Sequence, residues 1–552
     1  MSELMHITVG NLLDQVAAQY PDDEAVKYID RPYRRTWREF AVECDRVAKG
    51  MLAMGIGRGD HVAIWATNVP EWLLTFFACA KIGAVLVTVN TNYKVYELEY
   101  LLKQSDSKAL VMIRGIKTTS YVDIVREMLP GVENGRPGEL HSEKLPFLRD
   151  IVCVGADTPA GMFNFNDFYA MADDIAEADY RRVRAAVDPQ DVTNMQYTSG
   201  TTGFPKGVML THFNIVNNGK SIGDCMKFTH DDKLCIPVPF FHCFGLVLAV
   251  MACLTHASSM VPLEYYNPVK EMQALQDEGC TAVHGVPTMY IGMLEHPDFK
   301  KYRFPRLRTG IMAGSPCPMQ VMRRVIDEMG MREITITYGQ TEASPATTMT
   351  TTDDSLELRV QTVGRHMPHV ETKIIDPETG RDQPLNTPGE FCSRGYNTMK
   401  GYYKMPEATA RTIDKDGWLH SGDLAQVDEN GYYRITGRIK DMIIRGGENI
   451  YPKEIEEFLY THPAVQDVQV VGVPSEYYGE EVAACLVLRE GCHVSEEELR
   501  DYTAGHIARH KVPKFFFFME SFPQTASGKI QKYRLREIAA EMLAIPSAAE
   551  SM

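Results

Sequence analysis

Six short runs rich in β-branched and apolar residues recur along the chain, separated by stretches long enough to form helices. They read HVAIWA from His61, GAVLVTV from Gly83, KALVMI from Lys108, DIVCVG from Asp150, RTGIMAG from Arg308 and EITITYG from Glu333. A hairpin link needs only a few residues, whereas strands that are separated by helix-length connections return in parallel. The pattern therefore predicts an α/β fold, with parallel-rich sheets covered by helices.

From Val363 the texture changes to short strand and turn units, HVETKIID, GEFCSRG and DENGYYRITG, with turn chemistry at Glu429-Asn430-Gly431. This predicts a β-rich subdomain that closes a large N-terminal lobe. After Gly437-Arg438 follow a helical PKEIEEFLYTH, strands at DVQVVGV and EVAACLVL, and a helix opening at Ser495. These elements suit a small α+β domain of about 110 residues. The boundary is placed at Lys440, giving residues 1–439 and 440–552. Residues 131–144, rich in glycine and charge and without periodicity, read as a surface excursion.

The net charge of -16 repels nucleic acid and anionic lipid, so no nucleic-acid partner is expected. Twelve cysteines are dispersed with no C-x-x-C pair, which argues for reduced thiols in a cytoplasmic protein and against a zinc ribbon or disulfide framework. The N-terminus has no basic start or apolar core of a signal peptide and reads as an amphipathic helix. The most apolar stretch, Ile236 to Met260, is cut by Pro237, Pro239 and His242. No transmembrane segment is expected, and any membrane contact would be peripheral.

The densest local signal is Tyr197-Thr198-Ser199-Gly200-Thr201-Thr202-Gly203-Phe204-Pro205-Lys206-Gly207. Its glycines admit close backbone approach to an anion, its hydroxyls can bond phosphate oxygens, and Lys206 can follow the outer phosphates. It is not a Walker loop, because Pro205 and Gly207 replace the required glycine and hydroxyl. No G-x-G-x-x-G follows a strand, so a Rossmann dinucleotide site has no support.

This loop resembles the signature of the adenylate-forming enzymes, the superfamily of acyl-CoA synthetases, luciferases and peptide-synthetase adenylation domains. Four further strings are similar to that family's motifs, in the same order: Thr337-Tyr338-Gly339-Gln340-Thr341-Glu342, Trp418 to Asp423, Gly437 to Asp441, and Pro523 to Ile530. Singly, Glu342 reads as a solvated acid, Asp423 and Arg438 as a structural ion pair, and Lys529 as a surface charge. The resemblance implies more. Tyr338 would lie on adenine, with Gly314 and Gly339 beside the nucleotide. Thr341 would bond the α-phosphate, and Glu342, with Thr201, would hold Mg²⁺. Asp423 and Arg438 would grip the ribose of ATP, and Lys529 would bring carboxylate and α-phosphate together. Lys440 would be the hinge of a mobile C-terminal domain, and Gly446 and Gly447 would give the pantetheine arm of coenzyme A room to pass.

The implied reaction joins a carboxylic acid to a thiol, consuming ATP and releasing AMP and pyrophosphate through an acyl-adenylate. Loss of any one of Glu342, Asp423, Arg438 or Lys529 would mark a catalytically dead scaffold, and all four are present. Coenzyme A is the expected acceptor, since no carrier segment follows Lys529 and Gly446 to Pro452 is most similar to the acyl-CoA synthetase branch. A stand-alone enzyme that loads a carrier protein is the alternative. The family's acyl pocket maps onto Phe240, His242, Gly285, Met312 and Gly314, with no acid to pair an α-ammonium. That favours a medium to moderately long aliphatic acid, with an aromatic acid as runner-up. Leu246 stands where some long-chain enzymes carry a gating tryptophan, so a very long chain is not implied.

Overall fold

The computed structural model describes residues 3–198, 205–315, 317–445, 448–475, 477–504, 506–507, 509–525 and 528–544. All six runs form strands. Four are adjacent and parallel in one sheet, in the order Val85–Thr88, His61–Trp65, Ala109–Ile113 and Asp150–Val154. Val192–Thr198 joins them in parallel beside Val85–Thr88, and Lys206–Thr211 and Gly401–Tyr402 extend that edge antiparallel. The other two runs, Thr309–Met312 and Glu333–Gly339, are parallel neighbours in a second large sheet with Ala282–Val283, Lys233–Ile236, Ser259–Pro262 and Glu24–Lys27.

Helices cover these sheets for legible reasons. Val9–Gln19 buries Val9, Leu12, Leu13 and Val16 at helical spacing and is capped by the Thr8 hydroxyl. Pro70–Ile82 is apolar nearly all round and sits inside the core, with Lys81 reaching out to Asp14 and Asp45 at 2.7 and 2.5 Å. The apolar stretch after Pro239 forms a wide-turned helix, Phe244–Met251, that continues as Ala252–His256 and packs against His212–Cys225. No described helix is long and apolar enough to cross a membrane.

The expected β-rich subdomain is a four-stranded antiparallel sheet of Val370–Ile375, Gly389–Gly395, Leu419–Val427 and Tyr433–Arg438. The C-terminal unit is α+β. Val465–Ser475 and Gly479–Leu488 pair antiparallel, flanked by Ile443–Arg445, Glu448–Ile450 and Phe515–Phe518. Strand alternation gives it two apolar layers: Val468, Val470, Val482 and Ala484 face Ile455, Leu459 and Leu499, while Val471, Val473, Ala483 and Cys485 face Leu535 and Ala539. Lys440 lies in the short turn Ile439–Asp441, just before the first of these core residues, Ile443.

Candidate active site

In open parallel sheets ligands bind beyond the carboxyl ends of the strands. Two such ends meet at one cleft here, Thr309–Met312 leading into Ala313-Gly314 and Glu333–Gly339 into Gln340-Thr341-Glu342. Val192–Thr198 leads in sequence into the Ser/Thr/Gly loop. Thr198 closes its strand, whereas Ser199, Gly200, Thr201, Thr202 and Gly203 lie outside the described residues, as do Gly446 and Gly447.

A cleft open to solvent is lined on its apolar side by Phe244, Leu248, Ala313 and Ala346 and on its polar side by His242, Thr337, Tyr338, Thr341 and Lys529. Lys529 arrives from the C-terminal unit, on a loop pinned by the Thr288 hydroxyl, which donates to the Gly528 carbonyl at 3.2 Å. Gly314 (φ +91°) makes room for it, because a Cβ there would sit 3.3 Å from Lys529 Cε. A Cβ on Gly339 would lie 1.8 Å from the Pro345 carbonyl, so only glycine lets the chain pass at that turn.

Lys529 Nζ stands 3.2 Å from His242 Nε2. The Phe244 N–H donates to His242 Nδ1 at 3.1 Å, so a neutral ring carries its proton on Nε2. Burial, and then the neighbouring Lys529 charge, hold the imidazole pKa well below its usual value, so the ring is neutral. Burial likewise lowers the Lys529 ammonium from the ordinary lysine range. Two N–H donors thus lie side by side. An anion with two oxygens would satisfy both.

On the far side of the cleft the Tyr338 hydroxyl donates to Asp423 Oδ2 at 2.9 Å, and Arg438 Nε meets Asp423 Oδ1 at 3.0 Å. The Asp423 side chain is 9% exposed and that of Arg438 56%. A pair so open on one side contributes about 1 kcal/mol or less, too little to explain a buried acid as a stabilising device. Burial pushes the Asp423 carboxyl up, with Arg438 opposing it. Gly422 (φ +70°) turns the strand at this point, and the Ser421 hydroxyl accepts from the Asp423 N–H at 3.1 Å.

Glu342 is held by a residue that motif reading missed. The Tyr402 hydroxyl donates to Glu342 Oε1 at 2.7 Å, and Lys206 Nζ lies 4.7 Å from the centre of the Tyr402 ring. One tyrosine on a two-residue edge strand therefore joins the loop lysine to the acid. Its only sequence signal is the aromatic pair after Gly401. Cys243 is a second omission, with Sγ 3.6 Å from the Thr341 hydroxyl.

The acyl-pocket expectations divide. His242 and Gly314 line the cleft, but Phe240, Gly285 and Met312 do not. Phe240 packs against Trp72, with ring centres 5.3 Å apart, in the interior. Met312 faces the opposite side of its strand from Ile311 and joins Met322 and Val325 in another core, because alternate strand residues point to opposite faces. Gly285 abuts the Tyr290 ring, 3.0 Å from where its Cβ would be. The apolar wall of the cleft is formed by Phe244, Leu248, Ala313 and Ala346.

Residues 13–403 match the AMP-binding enzyme family, and residues 454–529 match the AMP-binding enzyme C-terminal domain. The chain belongs to the AMP-binding enzyme family. YngI of Bacillus subtilis (strain 168), assigned as an acyl-CoA synthetase, is 55% identical over 99% of this chain and 100% of that protein. The mitochondrial medium-chain acyl-CoA ligase ACSF2 of Mus musculus is 41% identical over 97% of this chain and 88% of its own. Among solved structures, ATP-bound MatB from Rhodopseudomonas palustris superposes with a TM-score of 0.82 at 29% identity, over 98% of this chain and all of that one. This AMP-binding enzyme is an AMP-forming acid–thiol ligase of the acyl-CoA synthetase branch.

Proposed function

We propose that the protein converts a medium to moderately long aliphatic carboxylic acid, with ATP and coenzyme A, to its acyl-CoA. The observation that carries this reading is the pair of adjacent donors, Lys529 Nζ and His242 Nε2, at the end of a cleft walled by Phe244, Leu248 and Ala313. The donors suit the carboxylate and the wall suits methylenes. Among the described residues no Asp or Glu lines the cleft beside Phe244, Leu248 and Ala313, so an α-ammonium there would be buried unpaired, which disfavours amino acids. The similarity to a medium-chain acyl-CoA ligase supports the same choice.

In-line attack of the carboxylate on the α-phosphorus is opposed mainly by charge crowding, so positioned cations and donors supply most of the catalysis. Lys529 bridges carboxylate and α-phosphate, and His242 orients the second carboxylate oxygen. Thr341 bonds the α-phosphate. Asp423 and Arg438 take the ribose, and Tyr338 faces adenine. Lys206 follows the departing pyrophosphate. The Glu342 carboxylate, anchored by Tyr402 beside the Thr341 hydroxyl, offers the hard oxygen that Mg²⁺ prefers, and phosphate and water oxygens would complete its shell. Bound there, the ion would neutralise phosphate charge. Thr201 is assigned to the same ion by its motif. Lys440 is the proposed hinge, and Gly446 and Gly447 are assigned to the pantetheine path by their motif alone.

A carboxylate series scored by AMP release, with and without coenzyme A, tests substrate and acceptor together. Each buried methylene adds about 0.8 kcal/mol until the wall is full, so kcat/KM should climb from acetate through hexanoate to octanoate. A preference for acetate or benzoate over octanoate beyond about tenfold, or 1.4 kcal/mol, refutes the aliphatic assignment. Multiple turnover that does not depend on coenzyme A refutes the acceptor.

A further inference from the structure

We infer that Glu390, Cys392 and His420 form a binding site for a Zn²⁺-class transition-metal ion, behind the turn that carries Asp423. Glu390 and Cys392 are two residues apart on the strand Gly389–Gly395, and Cys392 is the register partner of His420 on Leu419–Val427, so all three project from one face of the sheet. The opposite face carries Phe391 into the apolar core. Among the described residues this is the one group of three whose carboxylate, thiol and imidazole ligand atoms lie together, all within 4.8 Å of one another.

The spacing fits a tetrahedral ion. With ordinary Zn–N, Zn–S and Zn–O lengths, tetrahedral angles place N and S about 3.6 Å apart and N and O about 3.3 Å apart. His420 Nδ1 lies 3.6 Å from Cys392 Sγ and 3.0 Å from Glu390 Oε2. A ligating histidine commonly gives its other ring N–H to a carboxylate, and His420 Nε2 has Asp414 Oδ2 at 3.6 Å. Lys373, the strand neighbour whose charge would oppose a cation, places its ammonium over the Trp418 ring, 4.4 Å from its centre. Three protein ligands leave a fourth position for water, and partial exposure of His420 (29%) and Glu390 (13%) gives the ion a way in. Binding replaces the thiol proton: Cys–SH and Zn²⁺ give Zn–thiolate and one H⁺ released to buffer.

The same carboxylate reaches the nucleotide side, because Glu390 Oε1 accepts from the Gly422 N–H at 3.1 Å, next to Asp423. An ion that draws this carboxylate away loosens the turn and weakens ATP binding, a consequence that rests on the ribose assignment of Asp423.

Equilibrium dialysis of the full-length protein against Zn²⁺ and a competing chelator, in Mg²⁺ buffer, should show one tight equivalent. Cys392→Ser and His420→Gln should each weaken it at least tenfold, and Asp414→Asn by about tenfold. Thermal melting of each variant separates lost ligands from lost fold. With Co²⁺ in place of Zn²⁺, a thiolate charge-transfer band should appear in the native protein and vanish in Cys392→Ser. No tight equivalent, or a band that survives Cys392→Ser, overturns the site. Zn²⁺ should also raise the apparent KM for ATP in the native enzyme and not in Cys392→Ser. One bound equivalent with an unchanged KM would leave the metal site standing and refute the coupling to ATP.

Discussion

Lys529 and His242 show how little separates an unremarkable side chain from a reactive one. A lysine near a chain end is ordinarily a solvated charge, yet here it lies beside the N–H of a ring that its own chain holds neutral. Removing its charge should matter only while carboxylate and α-phosphate must be brought together. Lys529→Ala is expected to slow carboxylate-dependent exchange of pyrophosphate into ATP by several kcal/mol of barrier. It should spare thioester formation from supplied acyl-adenylate. Equal loss of both half-reactions in a folded variant would remove the assigned role.

Among elements, the telling junction is the edge strand Gly401–Tyr402 against Lys206–Thr211 and the turn Thr341–Ala343. Tyr402 touches both the acid and the lysine, so it joins Lys206 to the turn proposed to hold Mg²⁺. Tyr402→Phe keeps the ring under Lys206 and deletes one hydrogen bond to a carboxylate. Such a bond contributes about 1.5–3 kcal/mol. The Mg²⁺ concentration for half-maximal adenylation should therefore rise several-fold, with the KM for acid little changed. An unchanged Mg²⁺ dependence would show that the phenol does not position Glu342.

For the whole molecule, the proposed mechanism gives the C-terminal unit two poses, and the turn at Lys440 lies just before Ile443, the first residue of that unit's core. Lys440→Pro restricts φ and removes an N–H, so transfer to coenzyme A should slow while acyl-adenylate still forms. Unchanged transfer in single-turnover experiments would count against the hinge. Global stability also carries a pH signature. His284 donates from Nε2 to the Leu248 carbonyl and accepts the Ile311 N–H at Nδ1, and burial holds it and His212 at about 4, below the ordinary 6.5. Folding loses stability as pH falls from 6.5 toward 4, by about 1.4 kcal/mol per unit for each ring, because only the unfolded state takes up the proton. Asp150 and Asp467, raised by burial to about 6, act oppositely and offset part of this loss below that pH. Urea midpoints at pH 7 and pH 5 should differ less in His284→Gln than in the native protein, and an equal difference would refute the assignment.

The parallel strands, the antiparallel subdomain and the α+β end were legible because hydrophobic period and turn chemistry are local properties, visible within a dozen residues. The motif strings named Lys529, Glu342, Asp423 and Arg438, since each carries its chemistry in a recognisable neighbourhood. The face a strand residue presents is a different matter. Met312 and Ile311 are equally apolar, and only the sheet's position between two cores sends them into different ones. Tyr402 and the Glu390–Cys392–His420 group were likewise invisible, because they are assembled from strands remote in sequence and brought together by register. The adjacent donors Lys529 and His242 are 287 residues apart. The sequence alone determined which groups the chain possesses, and tertiary packing decided which of them meet, because contact between distant segments depends on the summed burial of every element between them.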